Sequence, residues 1–313
     1  MKLTICAVVS AFFVILSSAV LAQASAQQQQ STAAQQQPEF IKQGVQLVRE
    51  GKLEDALALY RQTLQTSPNS LAANIAAGSV LDLMGKGDDA RKYFSKAIES
   101  ADAPEGKASA WRAMAISYAF EGNCKKAMQY EQQVFDLLGK AQSFFQQGET
   151  ANETGRICID AGDLDAAAKW YKFGHESGLK EANIAPARKD LWNFRWEHAQ
   201  ARIAARRGNQ AEALKHVAAA KAILDKGAIP EQAPFFPYLK GYVAFYAEDY
   251  KTALQELAQA NQNDAFIQCL IGQVYEKLGD KDKALEYYRK AATAISHNPP
   301  TAYAVPFARK KLS

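Results

Sequence analysis

The segment GDKDKALEYY, at residues 279–288, decides the fold because close variants of it recur along the chain. They read GKLEDALALY at 51–60, GKGDDARKYF at 85–94, GNCKKAMQYE at 122–131, GDLDAAAKWY at 162–171 and GNQAEALKHV at 208–217, with EDYKTALQEL at 248–257 lacking the glycine. In each variant an alanine lies five places after the first residue and a larger residue usually lies four places further. Residues four apart share one face of a helix. Each segment therefore predicts a turn followed by a helix with one buried face, the glycine ending the preceding helix in the left-handed conformation.

A second small residue stands seven places before most of these turn glycines. The set is Gly44, Gly78, Ala115, Gly155, Ala201, Gly241 and Gly272. A glycine inside a helix costs about 0.5 to 1 kcal/mol relative to alanine, so we expect a close contact, at the alanine of the partner helix, to offset the cost. Each unit is thus predicted to be a helix, a tight turn and a second helix. Such a unit cannot bury its apolar face alone and must stack on its neighbours.

These residues resemble the tetratricopeptide repeat (TPR), a pattern of 34 residues. The first unit carries it at Phe40, Gly44, Leu47, Gly51, Ala56, Tyr60 and Pro68, the second at Gly78, Leu81, Gly85, Ala90, Phe94 and Ala97, and the last at Gly272, Tyr275, Gly279, Ala284, Tyr288 and Ala291. The resemblance covers residues 38–296 and implies an all-α fold, an α-solenoid of about seven TPR-like repeats. Residues 297–313 are expected to form a C-terminal capping helix. The wider spacing of the middle turn glycines predicts longer helices or loops there.

The first 26 residues have the pattern of a signal peptide. Lys2 precedes an apolar run over residues 3–21, and small residues follow at 22–26. This predicts an exported protein, periplasmic or secreted, while an uncleaved membrane anchor is the alternative. Residues 27–37 are rich in glutamine and are expected to be a flexible spacer.

Charge and motif content argue against several functional classes. The chain has 37 Lys and Arg against 33 Asp and Glu, with both signs interspersed, which argues against nucleic acid as a partner. The sequence has no HExxH and no GxSxG, and its four histidines are scattered without a ligand-like neighbour. We therefore expect no enzymatic activity, no metal and no cofactor.

Three cysteines follow the signal peptide, and two of them fall at neighbouring helix ends in the repeat register. Cys124 opens the second helix of the third unit, and Cys158 lies near the end of the first helix of the fourth. Stacked helical hairpins bring those ends together, which predicts a disulfide suited to an oxidising compartment. Two ordinary buried thiols are the alternative, and Cys269 is expected to remain unpaired.

The resemblance also implies where a partner would bind, because the inner helices of TPR proteins line a groove at fixed positions. In the register of this chain those positions are Asn152, Arg156, Arg195, His198, Arg202, Arg206, Tyr238, Tyr242 and Tyr246. A basic wall beside an aromatic one could hold an extended peptide with acidic side chains. Alternatively, the arginines form a solvated face with glutamate partners and the tyrosines pack the solenoid. The Lys and Asn pattern of the family's carboxylate clamp is not reproduced.

Together these features predict a non-enzymatic protein-interaction scaffold of the bacterial cell envelope, with a protein or peptide partner on its concave face. Two alternatives stay open. One is a membrane-anchored assembly factor, which requires an uncleaved N-terminal segment. The other is a binder of small molecules or glycans that uses the Arg and Tyr groove.

Overall fold

The computed structural model describes residues 38–313, and in this range the chain forms helices, turns and loops without a strand. The predicted signal peptide and spacer lie outside the described residues. The helices are α1 (Glu39–Arg49), α2 (Leu53–Thr66), α3 (Leu71–Leu83), α4 (Gly87–Ser100), α5 (Pro104–Phe120), α6 (Cys124–Lys140), α7 (Phe144–Ala161), α8 (Leu164–Gly178), α9 (Pro186–Arg206), α10 (Gln210–Leu224), α11 (Phe236–Tyr246), α12 (Tyr250–Leu257), α13 (Ala265–Leu278), α14 (Lys281–Ala292) and α15 (Pro299–Leu312). A short 3₁₀ helix, Pro230–Phe235, precedes α11. None of the described helices is long and apolar enough to cross a membrane.

The turn glycines end the first helix of each pair in the left-handed conformation, as predicted. Gly51, Gly85, Gly122, Gly162, Gly208 and Gly279 have φ between 67° and 90°. The next backbone N–H after the glycine bonds to a carbonyl five residues earlier, as from Lys86 to Leu81 at 2.8 Å and from Asp280 to Tyr275 at 3.0 Å. These bonds satisfy carbonyls that the helix end leaves free. Glu248 takes the same position in the sixth turn with φ of 62°.

The residue after the left-handed turn residue is the N-cap of the second helix, directly before its first residue. From the third pair onward its side chain makes a capping hydrogen bond. The side chains of Asn123, Asp163, Asn209, Asp249 and Asp280 accept a bond from the backbone N–H three residues later, at 3.0 to 3.2 Å. Capping of this kind stabilises a helix by about 1 kcal/mol. Lys52 and Lys86, at the same places in the first two pairs, make no such bond. Turn and cap together explain the short Gly-Asn or Gly-Asp sequence in the third, fourth, fifth and seventh hairpins.

Seven helical hairpins result within the described residues, α1/α2 through α13/α14, with the partners of each hairpin packed together. The small residues on the first helices do allow close approach. The expected alanine is in contact at Gly241 and Gly272, where the carbonyls of Ala253 and Ala284 lie 3.2 and 3.3 Å from an added Cβ, but a larger side chain lies nearer still, most often a ring. A Cβ added at Gly78 would lie 2.5 Å from Cε1 of Phe94, and one at Gly272 would lie 2.7 Å from Cε1 of Tyr288. The glycine thus makes room for the aromatic residue that ends the repeat pattern.

The middle hairpins are longer than the terminal ones, as their spacing predicted. α5 and α6 each have 17 residues, α7 has 18 and α9 has 21, whereas α1 has 11. Extra helical length on α7 and α9 adds side chains to the face on which the candidate site lies.

The C-terminal helix α15 packs on α14 and α13, as a cap should, and also on α5 and α7 from the third and fourth hairpins. Ala302 belongs to one apolar cluster with Ala115 and Ile116 of α5. Just before α15, the His297 ring lies between Phe94 and Phe120, with ring centroids 5.5 and 5.6 Å away. Its Nε2 lies 2.8 Å from Oδ2 of Asp82, a fully buried carboxylate in α3. The last segment of the chain therefore joins residues 215 positions apart.

Candidate functional site

A cavity of about 830 Å³ lies among the first helices of the third to seventh hairpins. Side chains of α5, α7, α9, α11 and α13 line it, together with Tyr171 of α8, the 3₁₀ helix and the start of α15. We refer to it as the central cavity. A volume of this size lies within the roughly 300 to 1,000 Å³ of typical ligand pockets.

Arg202 is the most unusual residue on the wall of the central cavity. It is only 5% exposed, and a guanidinium is charged at any physiological pH. Its hydrogen bonds reach the hydroxyl of Tyr171 at 2.8 Å and the carbonyl of His198 at 3.4 Å. Within residues 38–313 no carboxylate forms an ion pair with it. Since a buried charge is costly unless it is paired, Arg202 is a charge that lacks its counterpart.

Arg156 lies near Arg202 and is better compensated, although incompletely. Its Nε bonds to Oδ2 of Asp160 at 2.7 Å, and the guanidinium stacks 4.2 Å from the ring centre of Phe266. Burial raises the pKa of Asp160, and the positive charges of Arg156, Arg202 and Arg206 oppose that rise. The Nη2 atom of Arg156 is buried without a hydrogen-bond partner. A donor is therefore available on the cavity wall.

The charged side chains that line the central cavity are four arginines and three carboxylates: Arg112, Arg156, Arg195, Arg202, Glu149, Glu153 and Asp264. Asp264 also caps α13 by accepting bonds from the N–H groups of residues 266 and 267. Three of the four arginines have an ion pair, and within residues 38–313 only Arg202 has none.

His198 and Tyr238 add polar atoms without partners. Burial lowers the pKa of His198 well below its usual range, and the charges of Arg202 and Arg156 lower it further, so the ring is neutral at pH 7. Its Nε2 atom is buried and unpartnered. Tyr238 is 6% exposed, and its hydroxyl also lacks a partner. Buried polar groups are nearly always satisfied in folded proteins, so their clustering on one wall is informative.

Nearer the mouth of the central cavity, the remaining arginines are paired with glutamates. Arg112 bonds to Glu153 at 2.7 Å, and Arg195 forms an ion pair with Glu149. This agrees with the alternative that part of the arginine stripe is a solvated face with glutamate partners. The stripe therefore divides into paired residues near solvent and the unpaired Arg202 inside.

The structure brings together six of the nine predicted groove residues and places three elsewhere. Asn152, Arg156, Arg195, His198, Arg202 and Tyr238 line the central cavity. Tyr242 is instead a core side chain, 1% exposed, and Arg206 and Tyr246 pack on each other with the guanidinium 5.2 Å from the ring centre. The aromatic wall expected from Tyr242 and Tyr246 is thus part of the packing of the solenoid.

The apolar wall of the central cavity comes from residues that the sequence pattern did not single out. Phe194, Phe266 and Ile267 are buried, while Phe235 of the 3₁₀ helix is exposed at the rim. Pro299 and Pro300, at the start of α15, close the far side. That these prolines line the cavity could be predicted only from the position of α15, which is set by contacts distant in sequence.

Cys124 and Cys158 are joined by a disulfide in the structure, with their Cα atoms 4.9 Å apart. The bond ties the start of α6 to the end of α7. Cys269 is free and buried, and burial raises the pKa of its thiol to about 12. Across residues 38–313, no three His, Cys, Asp or Glu side chains are grouped so that they could hold a metal ion.

Comparison with known proteins identifies the repeat. Residues 47–115 and residues 267–298 each match a tetratricopeptide repeat family. No curated protein matches the chain.

Solved structures of low sequence identity also resemble the chain. A tetratricopeptide repeat protein from Parabacteroides merdae is 15% identical, with 87% of this chain and 98% of that chain covered and a TM-score of 0.49. The APC/C hetero-tetramer Cut9-Hcn1 is 17% identical, with 86% and 48% covered and a TM-score of 0.44. The MamA protein is 16% identical, with 60% and 92% covered and a TM-score of 0.43.

Proposed function

We propose, from the premise that the chain is a tetratricopeptide repeat protein, that it is a non-enzymatic interaction scaffold of the bacterial cell envelope. In this proposal a segment of a partner protein binds in the central cavity. The observation that carries it is the cavity wall itself, where, among residues 38–313, the buried guanidinium of Arg202 has no carboxylate and polar atoms of Arg156 and Tyr238 have no partners. A ligand that supplies the missing hydrogen-bond acceptors stabilises such groups, and this stabilisation contributes to its affinity.

Stacked hairpins suit a scaffold for an energetic reason. Each hairpin is held by its neighbours, so the binding surface exists before the partner arrives. Little conformational entropy is then lost by the scaffold on binding, and more of the interaction energy appears as affinity. An acidic, partly apolar segment of the partner matches the charges and rings of the central cavity.

Export is the second part of the proposal and rests on the first 26 residues together with the disulfide. The apolar run after Lys2 has the length and flanks of a cleaved signal. A disulfide persists in an oxidising compartment such as the periplasm. N-terminal sequencing of the protein from an envelope fraction tests this directly. A start near residue 25 or 27 supports export with cleavage, and an intact Met1 favours the membrane-anchored alternative.

Partner binding is tested with the mature chain as bait in an envelope extract. The test variant is Arg112→Gln with Arg195→Gln, which removes two partly exposed cations of the cavity wall. The matched control is Lys92→Gln with Arg207→Gln, which removes two exposed cations outside it. Proteins held by wild type and control are identified by mass spectrometry, purified and titrated against all three baits.

The scaffold proposal predicts that a purified partner binds wild type and control alike and binds the test variant at least roughly tenfold more weakly. Equal binding by all three baits would move the interface away from the central cavity. If no purified protein binds wild type, the scaffold proposal fails.

A further inference from the structure

The chemistry of the central cavity specifies its ligand more closely than the scaffold role does. Arg202 on its wall is a buried cation, and it is the one lining arginine without an ion pair within residues 38–313. A ligand with a single negative group balances this charge. A ligand with several acidic groups would leave further buried negative charges unpaired, which is costly.

The polar atoms that could receive this negative group lie on neighbouring elements and are all without partners. They are Nη2 of Arg156 on α7 and the hydroxyl of Tyr238 on α11. Arg202 adds its guanidinium from the same wall, one turn of α9 beyond His198. Since Arg156 and Tyr238 can both donate hydrogen bonds, an oxyanion satisfies them in a way that a neutral apolar group cannot.

Next to these donors the cavity is apolar and ringed by aromatic side chains. Phe194, Phe266 and Ile267 are buried in its wall, and Phe235 stands at the rim. An aromatic or branched group would pack on them, and ring contacts would add to the effect of the area buried.

The chain itself limits how long the ligand can be. Pro299 and Pro300 of α15 close the side of the central cavity that lies toward α5 and α7. α15 is held in place by the contact of His297 with Asp82 and by Ala302 in the apolar cluster of α5. These contacts make α15 a fixed wall on this side, and a compact ligand fills the cavity without crossing it.

We propose that the central cavity binds a compact amphipathic monoanion, in which one carboxylate is held by Arg202 and Arg156 and an adjoining aromatic body packs on Phe194 and Phe266. This goes beyond the scaffold proposal, because a free small acid and one end of a partner chain both present this chemistry. The two sources share the same chemistry and are separated by experiment.

The test uses isothermal titration of the mature chain with four probes. 3-Phenylpropionate has both the carboxylate and the ring, 3-phenylpropionamide lacks only the charge, and acetate lacks the ring. The peptide acetyl-Gly-Gly-Phe presents the same groups at the end of a chain. We expect both ring-bearing acids to bind saturably, and the amide and acetate to bind at least roughly tenfold more weakly. Tighter binding of 3-phenylpropionate would identify the natural ligand as a free small acid, and tighter binding of the peptide would identify it as one end of a partner chain.

Variants test the residues. Arg202→Met is expected to weaken the better acid at least roughly tenfold, and Tyr238→Phe, which removes one hydroxyl without changing the shape, roughly threefold. Arg207→Met, outside the cavity, is the matched control. Far-ultraviolet circular dichroism checks that each variant is folded, and Arg202→Lys, which keeps the charge, replaces Arg202→Met if that variant is not folded and should weaken binding in the same direction.

Three results would overturn the inference: no saturable binding by either acid, equal binding of acid and amide, or full binding by folded Arg202 and Tyr238 variants. Its failure is separable from that of the scaffold. Acid binding without a purified partner would refute the scaffold alone, and a partner that binds while neither acid does would refute this inference alone.

Discussion

Replacing Gly78 by alanine is the sharpest test of how these hairpins are packed. Gly78 lies in α3, opposite Phe94 of α4. An added Cβ would lie 2.5 Å from Cε1, 2.7 Å from Cζ and 2.9 Å from Cδ1 of the Phe94 ring. Carbon atoms in contact are ordinarily about 3.5 Å or more apart, so the ring or the helix must move by about 1 Å.

Two effects of opposite sign decide the outcome. Alanine in place of a helical glycine stabilises by about 0.5 to 1 kcal/mol. Overpacking a filled core destabilises by about 1 to 3 kcal/mol. Phe94 has no free space to move into, because it is fully buried and its ring contacts that of His297. We therefore expect a net destabilisation of about 1 kcal/mol.

Urea unfolding followed by circular dichroism at 222 nm measures this effect. With a slope of about 3 kcal/mol per molar, a loss of about 1 kcal/mol lowers the midpoint by about 0.3 M. Gly87→Ala is the control, because the nearest atoms to its added Cβ are the mobile ends of Glu121 and Arg91. This control should be neutral or slightly stabilising.

A double variant isolates the contact itself. In a Phe94→Leu background the ring is absent, so Gly78→Ala should lose its cost, and the two changes should couple by about 1 kcal/mol. If Gly78→Ala raises stability by the amount expected from helix propensity alone, the argument that the ring requires this glycine is refuted.

Three further predictions concern the sixth turn, the disulfide and a buried carboxyl group. Glu248→Gly should stabilise by about 1 kcal/mol, because a left-handed residue other than glycine is strained at φ of 62°; an unchanged urea midpoint would contradict this. Replacing both Cys124 and Cys158 by alanine should lower the free energy of unfolding by about 2 to 4 kcal/mol, since the disulfide closes a loop of 34 residues. When the mature wild type is unfolded and alkylated, it should gain one alkyl group without reductant and three with reductant. Burial, and then the negative charge of Glu153, raise the pKa of the Glu131 carboxyl group well above 4.5 in the folded protein. The stability that the protonated carboxyl group contributes is therefore fully present below pH 4.5. It is lost as the pH rises through the folded pKa. Glu131→Gln should therefore stabilise by about 1 kcal/mol or more at pH 7 and change little at pH 4.5, and an equal effect at both pH values would show that Glu131 is not held protonated.

The fold could be predicted from the sequence because its determinants are local. A turn glycine followed by Asn or Asp directs the chain through the left-handed turn and caps the next helix, as at Gly162 and Asp163. The same register predicted the turn at Glu248, where the glycine is absent. The contact of Gly78 with Phe94, rather than with an alanine, was less predictable, because it depends on which way a ring points between two helices.

The candidate site was predicted only in part, because the sequence shows which residues share a helix face and not what lies opposite them. Arg195 and Arg202 are seven residues apart on α9, yet Arg195 meets Glu149 of α7, whereas Arg202 meets the hydroxyl of Tyr171. Tyr242 lies one turn after Tyr238 on the same helix, yet its side chain lies in the core, whereas that of Tyr238 lines the cavity.

The sequence by itself determined the repeat, the turns, the caps and the order of the helices, since each depends on residues within one hairpin or between adjacent ones. The tertiary structure alone decided that α15 lies against α5 and α7, that His297 reaches Asp82, and that Arg202 meets no carboxylate in the described part of the chain. In a stack of repeats each hairpin is rotated slightly from the one before, and the rotations accumulate. Which faces meet after seven hairpins is set by their sum, which no single segment of the sequence contains.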